Sequence, residues 1–148
     1  KPIIVNQHRS LTMNEIKRTA LWFEEAVPSP TSKNTHTQLG VHFEEVVEML
    51  ETLKGTTDAS KALLLRSVSA LHALANHLKE TDNSILVNDR VEMLDGLLDQ
   101  IVTAVGVAHM LNMNVCAGLI EVNDSNYSKF VNGKAIFDEN GKIIKGTN

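Results

Sequence analysis

Glu44, Glu45 and Glu48 are the first residues along this 148-residue chain whose type and spacing could do chemistry. Glu45 and Glu48 stand three positions apart and Glu44 and Glu48 four, so on a helix all three project from neighbouring points of one face. Taken alone, that face reads as a solvated acidic surface on which each like-charged pair costs about 0.2–0.5 kcal/mol. A second group changes the reading. Glu92, Asp95 and Asp99 fall within about 60° of one another at 100° per residue. Leu94, Leu97, Leu98, Ile101, Val102, Val105 and Ala108 surround that stripe, which predicts that much of this helix is buried. A buried carboxylate without a partner costs several kcal/mol, and Lys79 and Arg90 are too few to neutralise two acidic groups. Divalent cations are the expected compensation. Hard oxygen donors with no matching His or Cys set favour Mg²⁺, with Mn²⁺ as a substitute, over zinc, and Mg²⁺ usually shares its shell with water and substrate phosphates. His109 has no partner at ligand spacing and reads as a packing histidine. Cys116, with no second cysteine and no adjacent His, reads as structural.

The elements that must position these groups are helices. The chain has only four Phe, one Trp and one Tyr, and its long segments are rich in Leu, Ala, Val, Met and Glu, a composition that favours helix over sheet. Thr12-Met-Asn-Glu15 spells a capping box, followed by Ile16, Ala20 and Phe23 at helical spacing until Pro28 and Pro30 stop the run. The polar stretch Ser29–Thr37 leads into a second helix striped by Leu39, Phe43, Val46, Val47, Leu50 and Leu53 and ended by Gly55. A third helix runs from about Asp58 to Lys79. Its Leu63, Leu64, Leu65, Val68, Leu71, Leu74 and Leu78 are too many for one narrow stripe, so part of its face is expected at a subunit interface. The fourth begins near Ser84 or Asn88, ends around Asn112 and forms the centre of the bundle. After Asn114 the pattern weakens into short helical or irregular pieces through Phe130. Ala135-Ile136-Phe137, Asn140-Gly141 and Lys142-Ile143-Ile144 then predict a small hairpin. The expectation is an all-α, four- to five-helix bundle with a C-terminal hairpin or loop arm over 123–148, one domain over 1–148, assembled as a homodimer or homotetramer.

Length and charge bound the rest. A chain of this size buries roughly two-thirds of its unfolded surface and needs no disulfide or structural metal to hold a core. Fourteen basic against 18 acidic residues, a net charge of −4, offers no long-range attraction for phosphate backbones, so DNA and RNA are not expected partners. Gln100–Ile120 carries no Asp, Glu, Lys or Arg over the length a bilayer requires, but Gln100, Thr103, His109, Asn112 and Asn114 interrupt it, and no membrane partner is expected. One cysteine and no signal pattern before the first helix point to the cytoplasm of a cell or a virus-infected cell.

These residues resemble the MazG-like all-α nucleoside triphosphate pyrophosphohydrolases, the superfamily that includes dimeric dUTPases and phosphoribosyl-ATP pyrophosphohydrolase. Gln38-Leu-Gly-Val-His-Phe-Glu44-Glu45-Val-Val-Glu48-Met-Leu is similar to that family's EExxE helix. Asp95-Gly-Leu-Leu-Asp99, followed by Val105-Gly106 and Leu111-Asn-Met-Asn114, is similar to its second acidic helix. Glu121-Val-Asn-Asp-Ser-Asn126-Tyr-Ser-Lys129 resembles its SNMSK-like segment, with Tyr127 where Met is usual, and Asp138-Glu-Asn-Gly141-Lys-Ile-Ile-Lys145-Gly the hairpin after it. The resemblance covers about residues 20 to 148 and implies hydrolysis of a (d)NTP between its α and β phosphates, giving (d)NMP and pyrophosphate. It implies Mg²⁺ held by Glu45, Glu48, Asp95 and Asp99, with Glu92 an alternate in a second register that also satisfies ExxD. Glu44 or Glu45 is implied as general base, since a base must reach metal-bound water. Asn126, Lys129 and Lys145 are the implied phosphate or sugar contacts. Trp22, Gln38 and His42 are candidates for the base, Trp22 also reading as core. The family's ExxD would place Glu at position 96, where this chain has Gly96. That departure motivates a rival reading: a helical oligomer that binds nucleotide or a protein partner without turnover. A phosphoribosyl-ATP pyrophosphohydrolase-like activity is the alternative within the enzyme class.

Overall fold

The structure is a computed structural model and describes the backbone of residues 2–139 and 141–144 and the side chains of 14–139 and 141–144. It is mostly helical: α1 (Pro2–Ala26), α2 (Ser32–Glu51), α3 (Asp58–Glu80), α4 (Arg90–Met110) and α5 (Val115–Tyr127), followed by β1 (Phe130–Val131), β2 (Lys134–Phe137) and β3 (Ile143–Ile144) in the sheet order β1-β2-β3. No helix among the described residues is long and apolar enough to cross a membrane. The chain divides into two compact units. One contains α1, α4, α5 and most of the sheet; the other is Ser29–Leu86 with Phe137–Lys142.

The second unit is a helical hairpin of α2 and α3, and both helices start on reciprocal caps. Thr31 accepts from the Asn34 amide at 3.1 Å while Asn34 Oδ1 accepts from the Thr31 amide at 2.9 Å, and Thr57 and Ser60 repeat the arrangement. The polar segment expected to lead into α2 is therefore mostly its first two turns. Val47, Ala75 and Leu78 form the apolar core, together with His36, Thr37 and Gly40. The His36 ring faces the Ser32 carbonyl through Nδ1 at 3.0 Å and accepts the Ser84 amide at Nε2 at 3.1 Å, which defines the neutral tautomer with Nδ1 as donor. Lys33 donates to the carbonyls of Lys79 and Thr81 and so satisfies the C-terminus of α3.

Gly40 permits the close approach of the two helices. A Cβ there would lie 2.6 Å from Lys79 Cγ and 2.7 Å from the Ala75 carbonyl oxygen, and the backbone atom cannot swing away. Gly40→Ala is expected to destabilise this hairpin by about 1–3 kcal/mol, the usual range for overpacking, seen as a lower urea midpoint by circular dichroism. An unchanged midpoint would mean that the helices separate at little cost.

In the first unit α1 packs on α5. α1 begins ten residues before the Thr12 capping box, so that sequence sits inside the helix and not at its start. Glu15, the residue expected to close the box, is instead buried at 8% exposure and engaged across the interface. Asn123 Nδ2 donates to its Oε2 at 2.7 Å and to its backbone carbonyl at 3.1 Å, and Arg18 donates to both carboxylate oxygens. Arg18 also donates to Asp124 at 2.9 Å and lies over the Tyr127 ring. The region after Asn114 is one continuous helix capped by the Asn114 side chain, not short pieces. β1 and β2 form a tight antiparallel hairpin through Asn132 and Gly133, both at positive φ, as a two-residue Asn-Gly turn requires.

α4 departs most from expectation. It is capped by Asp89, which accepts from the Val91 and Glu92 amides, but it contains no buried residue. The sequence pattern predicts the central helix of a bundle; in the structure Leu97 and Ala108 are half-buried and Val91, Leu94, Leu98, Ile101, Val102 and Val105 are exposed. His109, expected to pack in the core, is exposed on it.

Candidate functional site

On α2, Glu45 and Glu48 are exposed and their carboxylates have no hydrogen-bond or ion-pair partner among the described residues. Glu44, one position away, is half-buried and doubly paired: Lys79 Nζ lies 3.2 Å from Oε1 and Lys142 Nζ 3.5 Å from Oε2. Its partial burial works to raise the carboxyl pKa, but the Lys79 hydrogen bond and the charges of Lys142 and Lys79 outweigh that and hold it below the ordinary value of 4.5. Of the two candidate bases, Glu44 is thus the one already compensated, and a carboxylate held ionised by two ammonium groups is the weaker proton acceptor.

Two local devices deliver the lysines. Lys79 lies in the last turn of α3, beside the glycine that lets α2 come close. Lys142 lies at the end of a turn closed by three hydrogen bonds: Asp138 N to Lys142 O at 2.8 Å, Lys142 N to Asp138 Oδ1 at 2.8 Å and Gly141 N to Asp138 O at 3.1 Å, with Gly141 at φ 79°. The sequence pattern marks this turn but not the side chain that it aims. Lys142 and Glu44 are 98 positions apart, a pairing for which no local signal exists.

On α4, Glu92, Asp95 and Asp99 are exposed, again without partners among the described residues. This overturns the premise that burial of these carboxylates demands a cation. In water they need no compensation, so burial supplies no energetic reason for a metal and only their ligand chemistry remains. Among the described residues no group of three or more His, Cys, Asp or Glu side chains is gathered to hold a metal ion. The donor set nevertheless suits a hard cation of the Mg²⁺ type, which takes one or two carboxylates and completes its shell with water and phosphate oxygens.

The remaining candidates divide. Trp22 is a core residue at 5% exposure, stacked on Phe130 with centroids 5.6 Å apart and donating from Nε1 to the Asn126 carbonyl at 2.9 Å, so its ring is not open to a nucleobase. Asn126 and Lys129 are brought together at the C-terminal end of α5, where the Lys129 amide donates to the Asn126 carbonyl. Gln38 is exposed on α2, and His42 is half-buried one turn on, its ring 6.0 Å from that of Phe43. Lys145 lies outside the described residues. The Glu15–Arg18–Asn123–Asp124 cluster, which sequence reasoning missed, is a structural network rather than an open site: each of its groups has a partner, and no buried side-chain nitrogen or oxygen among the described residues lacks one. Comparison with protein families, with curated proteins and with solved structures finds no match.

Proposed function

We propose that this protein is a Mg²⁺-dependent nucleoside triphosphate pyrophosphohydrolase that cleaves a (d)NTP between its α and β phosphates and works as a homo-oligomer. One observation carries the reading. The face of α2 that resembles the EExxE helix presents two open carboxylates, Glu45 and Glu48, beside a third, Glu44, that gathers Lys79 and Lys142. Open carboxylates next to ammonium groups suit a metal-bound polyphosphate, whose cation needs oxygen donors and whose phosphate oxygens need cationic ones.

Glu45 and Glu48 on α2, and Asp95 and Asp99 on α4 with Glu92 in the alternate register, are the oxygen ligands in this reading. Mg²⁺ bound there would neutralise phosphate charge and lower the pKa of a coordinated water. Glu45 accepts the proton of the attacking water, because Glu44 is already held by its two lysines. Lys129 and Asn126 contact phosphate or sugar. A cytoplasmic site of action in the nucleotide pool belongs to the same proposal.

The test is direct. Purified protein is incubated with Mg²⁺ and each (d)NTP in turn, and products are separated by ion exchange. Monophosphate and pyrophosphate in equal amounts from at least one substrate is the expected result. Orthophosphate as the primary product would replace the reading with ordinary phosphatase chemistry. Nucleotide binding without turnover would favour the non-catalytic oligomer that Gly96 motivates.

A further inference from the structure

His36 is the one buried ionisable side chain of the second unit among the described residues, at 3% exposure, and the nucleotide reading leaves it unused. Both ring nitrogens are engaged. Nδ1 donates to the Ser32 carbonyl one turn back at 3.0 Å, while Nε2 accepts the amides of Ser84 at 3.1 Å and Ile85 at 3.4 Å, 48 and 49 positions further on. No backbone carbonyl among the described residues takes either amide, so the imidazole lone pair is the acceptor that holds this stretch. Residues 81–89 form no helix or strand, and side chains moor the first part of them: Ser32 Oγ donates to Asp82 Oδ1 at 2.6 Å and to Asn83 Oδ1 at 3.2 Å, and the Thr81 and Ser84 hydroxyls lie 2.9 Å apart. The stretch is also the way out of the unit, which ends at Leu86 before the chain continues as Val87 of the first.

From this arrangement we infer that His36 is a pH-operated latch: the neutral ring holds Ser84 and Ile85 closed on α2, and the protonated ring releases them. Protonation places an N–H on Nε2, aimed at two amide N–H groups, so three donors face one another with no acceptor between them. Nδ1 keeps its proton and its bond to Ser32 in both states, and the change falls on one edge of the ring. The surroundings set the sign. Among the described residues Asp82 is the charged group within ion-pair distance of the ring, its Oδ1 3.9 Å from Nδ1. It therefore favours the cation from the edge that does not change and gives Nε2 no partner. Lys33 of α2 is turned to the carbonyls of Lys79 and Thr81, and Lys79 of α3 to Glu44. His77 and Glu80, the other ionisable residues in the last turn of α3, are exposed. The closed form has no place for the second ring proton and the open form has one, so acidification favours opening, by up to about tenfold per pH unit once the released imidazole is charged. Imidazole is the side chain that ordinarily makes this change between about pH 5 and 8. Asn83, in the left-handed region at φ 59°, lies between the mooring at Asp82 that persists and the two amides that are lost, and is the hinge of the movement. The latch needs no part of the nucleotide chemistry.

The experiment is NMR of the full, isotopically labelled chain from pH 8 to pH 5, in which the His36 ring resonances report the proton and amide exchange reports the latch. As the ring titrates, protection of the Ser84 and Ile85 amides, corrected for intrinsic exchange, is expected to fall at least about tenfold. The Thr81 amide, which donates to the His77 carbonyl at 3.0 Å, is expected to keep its protection. His36→Gln, whose side-chain oxygen accepts at any pH, should hold both amides equally at the two ends of the range. A His36 ring that stays neutral down to pH 5, protection that does not follow the ring, a fall shared by Thr81, or the same fall in the glutamine variant would each overturn the inference. Should the variant not fold, the wild-type titration decides alone. None of these results touches hydrolysis, so the latch and the enzyme can fail separately.

Discussion

Glu48→Gln and Asp99→Asn each slow (d)NTP turnover by at least about 100-fold while leaving helical content and thermal midpoint unchanged, if the acidic residues of α2 and α4 are the ligands proposed. The size follows from the charge removed: an amide keeps the shape of the side chain but supplies a neutral, weaker donor where a cation must be held, and loss of one electrostatic contact at a phosphoryl centre typically costs two to three decades in rate. The unchanged midpoint follows from exposure. Both side chains stand in water without partners among the described residues, and substitutions at such positions fall within about 0.5 kcal/mol of neutral. Lost activity in a fully folded variant would therefore report ligand chemistry and not misfolding. Glu51→Gln, on the same helix and also exposed, is the matched control and should retain full rate. Wild-type turnover in both variants would remove these residues from the site, and an equal fall in the Glu51 control would point to a general loss of surface charge.

The contrast between these exposed acids and the compensated Glu44 marks how far the sequence could be read. The helices of the second unit were legible because their signals are local. The stripe from Leu39 to Leu50 recurs at helical spacing, α3 starts at the expected Asp58, and its end at Glu80 lies one residue past the expected Lys79. Their caps were less legible, because Asn34 and Ser60 do the work that a capping-box template assigns to Glu or Gln. Conversely Thr12-Met-Asn-Glu15 fits the template but marks no helix start, since helix continues upstream and Glu15 is drawn into contacts with Asn123 more than a hundred residues away. The hairpin expected around Asn140-Gly141 is present as β2 and β3, and the sequence also holds an unread signal, Asn132-Gly133, that turns β1 into β2.

The misjudged helix is α4, and its error has a physical origin. Apolar periodicity states that a face is suited to being covered but not by what, nor whether it is covered at all. Placing α4 at the centre of the bundle then made Asp95 and Asp99 look like buried charges in need of a cation. Exposure removes that need, so only the ordered acidic motifs point to a metal, while the lysines at Glu44 suit phosphate oxygens. Lys142 was invisible for the opposite reason. Its pairing with Glu44 depends on where a closed turn from Asp138 to Lys142 points, which no periodicity encodes.

Asn123→Leu carries the largest expected effect on stability. Asn123 is 1% exposed and makes three hydrogen bonds across the α1–α5 interface: two donated to Glu15 and one accepted from Thr19 at 2.9 Å. Leucine fills the same space but satisfies none of them, and the loss of a buried hydrogen bond to an ionised group destabilises by about 2–3 kcal/mol. Trp22, the single tryptophan of the chain, lies in this interface, so its fluorescence follows the unfolding of this unit. The urea midpoint by that probe should fall clearly at pH 7. The same cluster sets a pH dependence with a definite sign. The Asn123 hydrogen bond, with Arg18 adding to it against the opposing effect of burial, holds the Glu15 carboxyl below its ordinary 4.5 in the folded state. Folding then favours the ionised form, so this contribution is complete above the ordinary value and is lost as pH falls through the lower native one. Between pH 7 and pH 3 the wild-type midpoint should therefore drop further than that of Glu15→Gln, which has no charge to lose. Parallel pH profiles for the two proteins would show that Glu15 is as readily protonated folded as unfolded, and the network would then be a set of contacts without electrostatic weight.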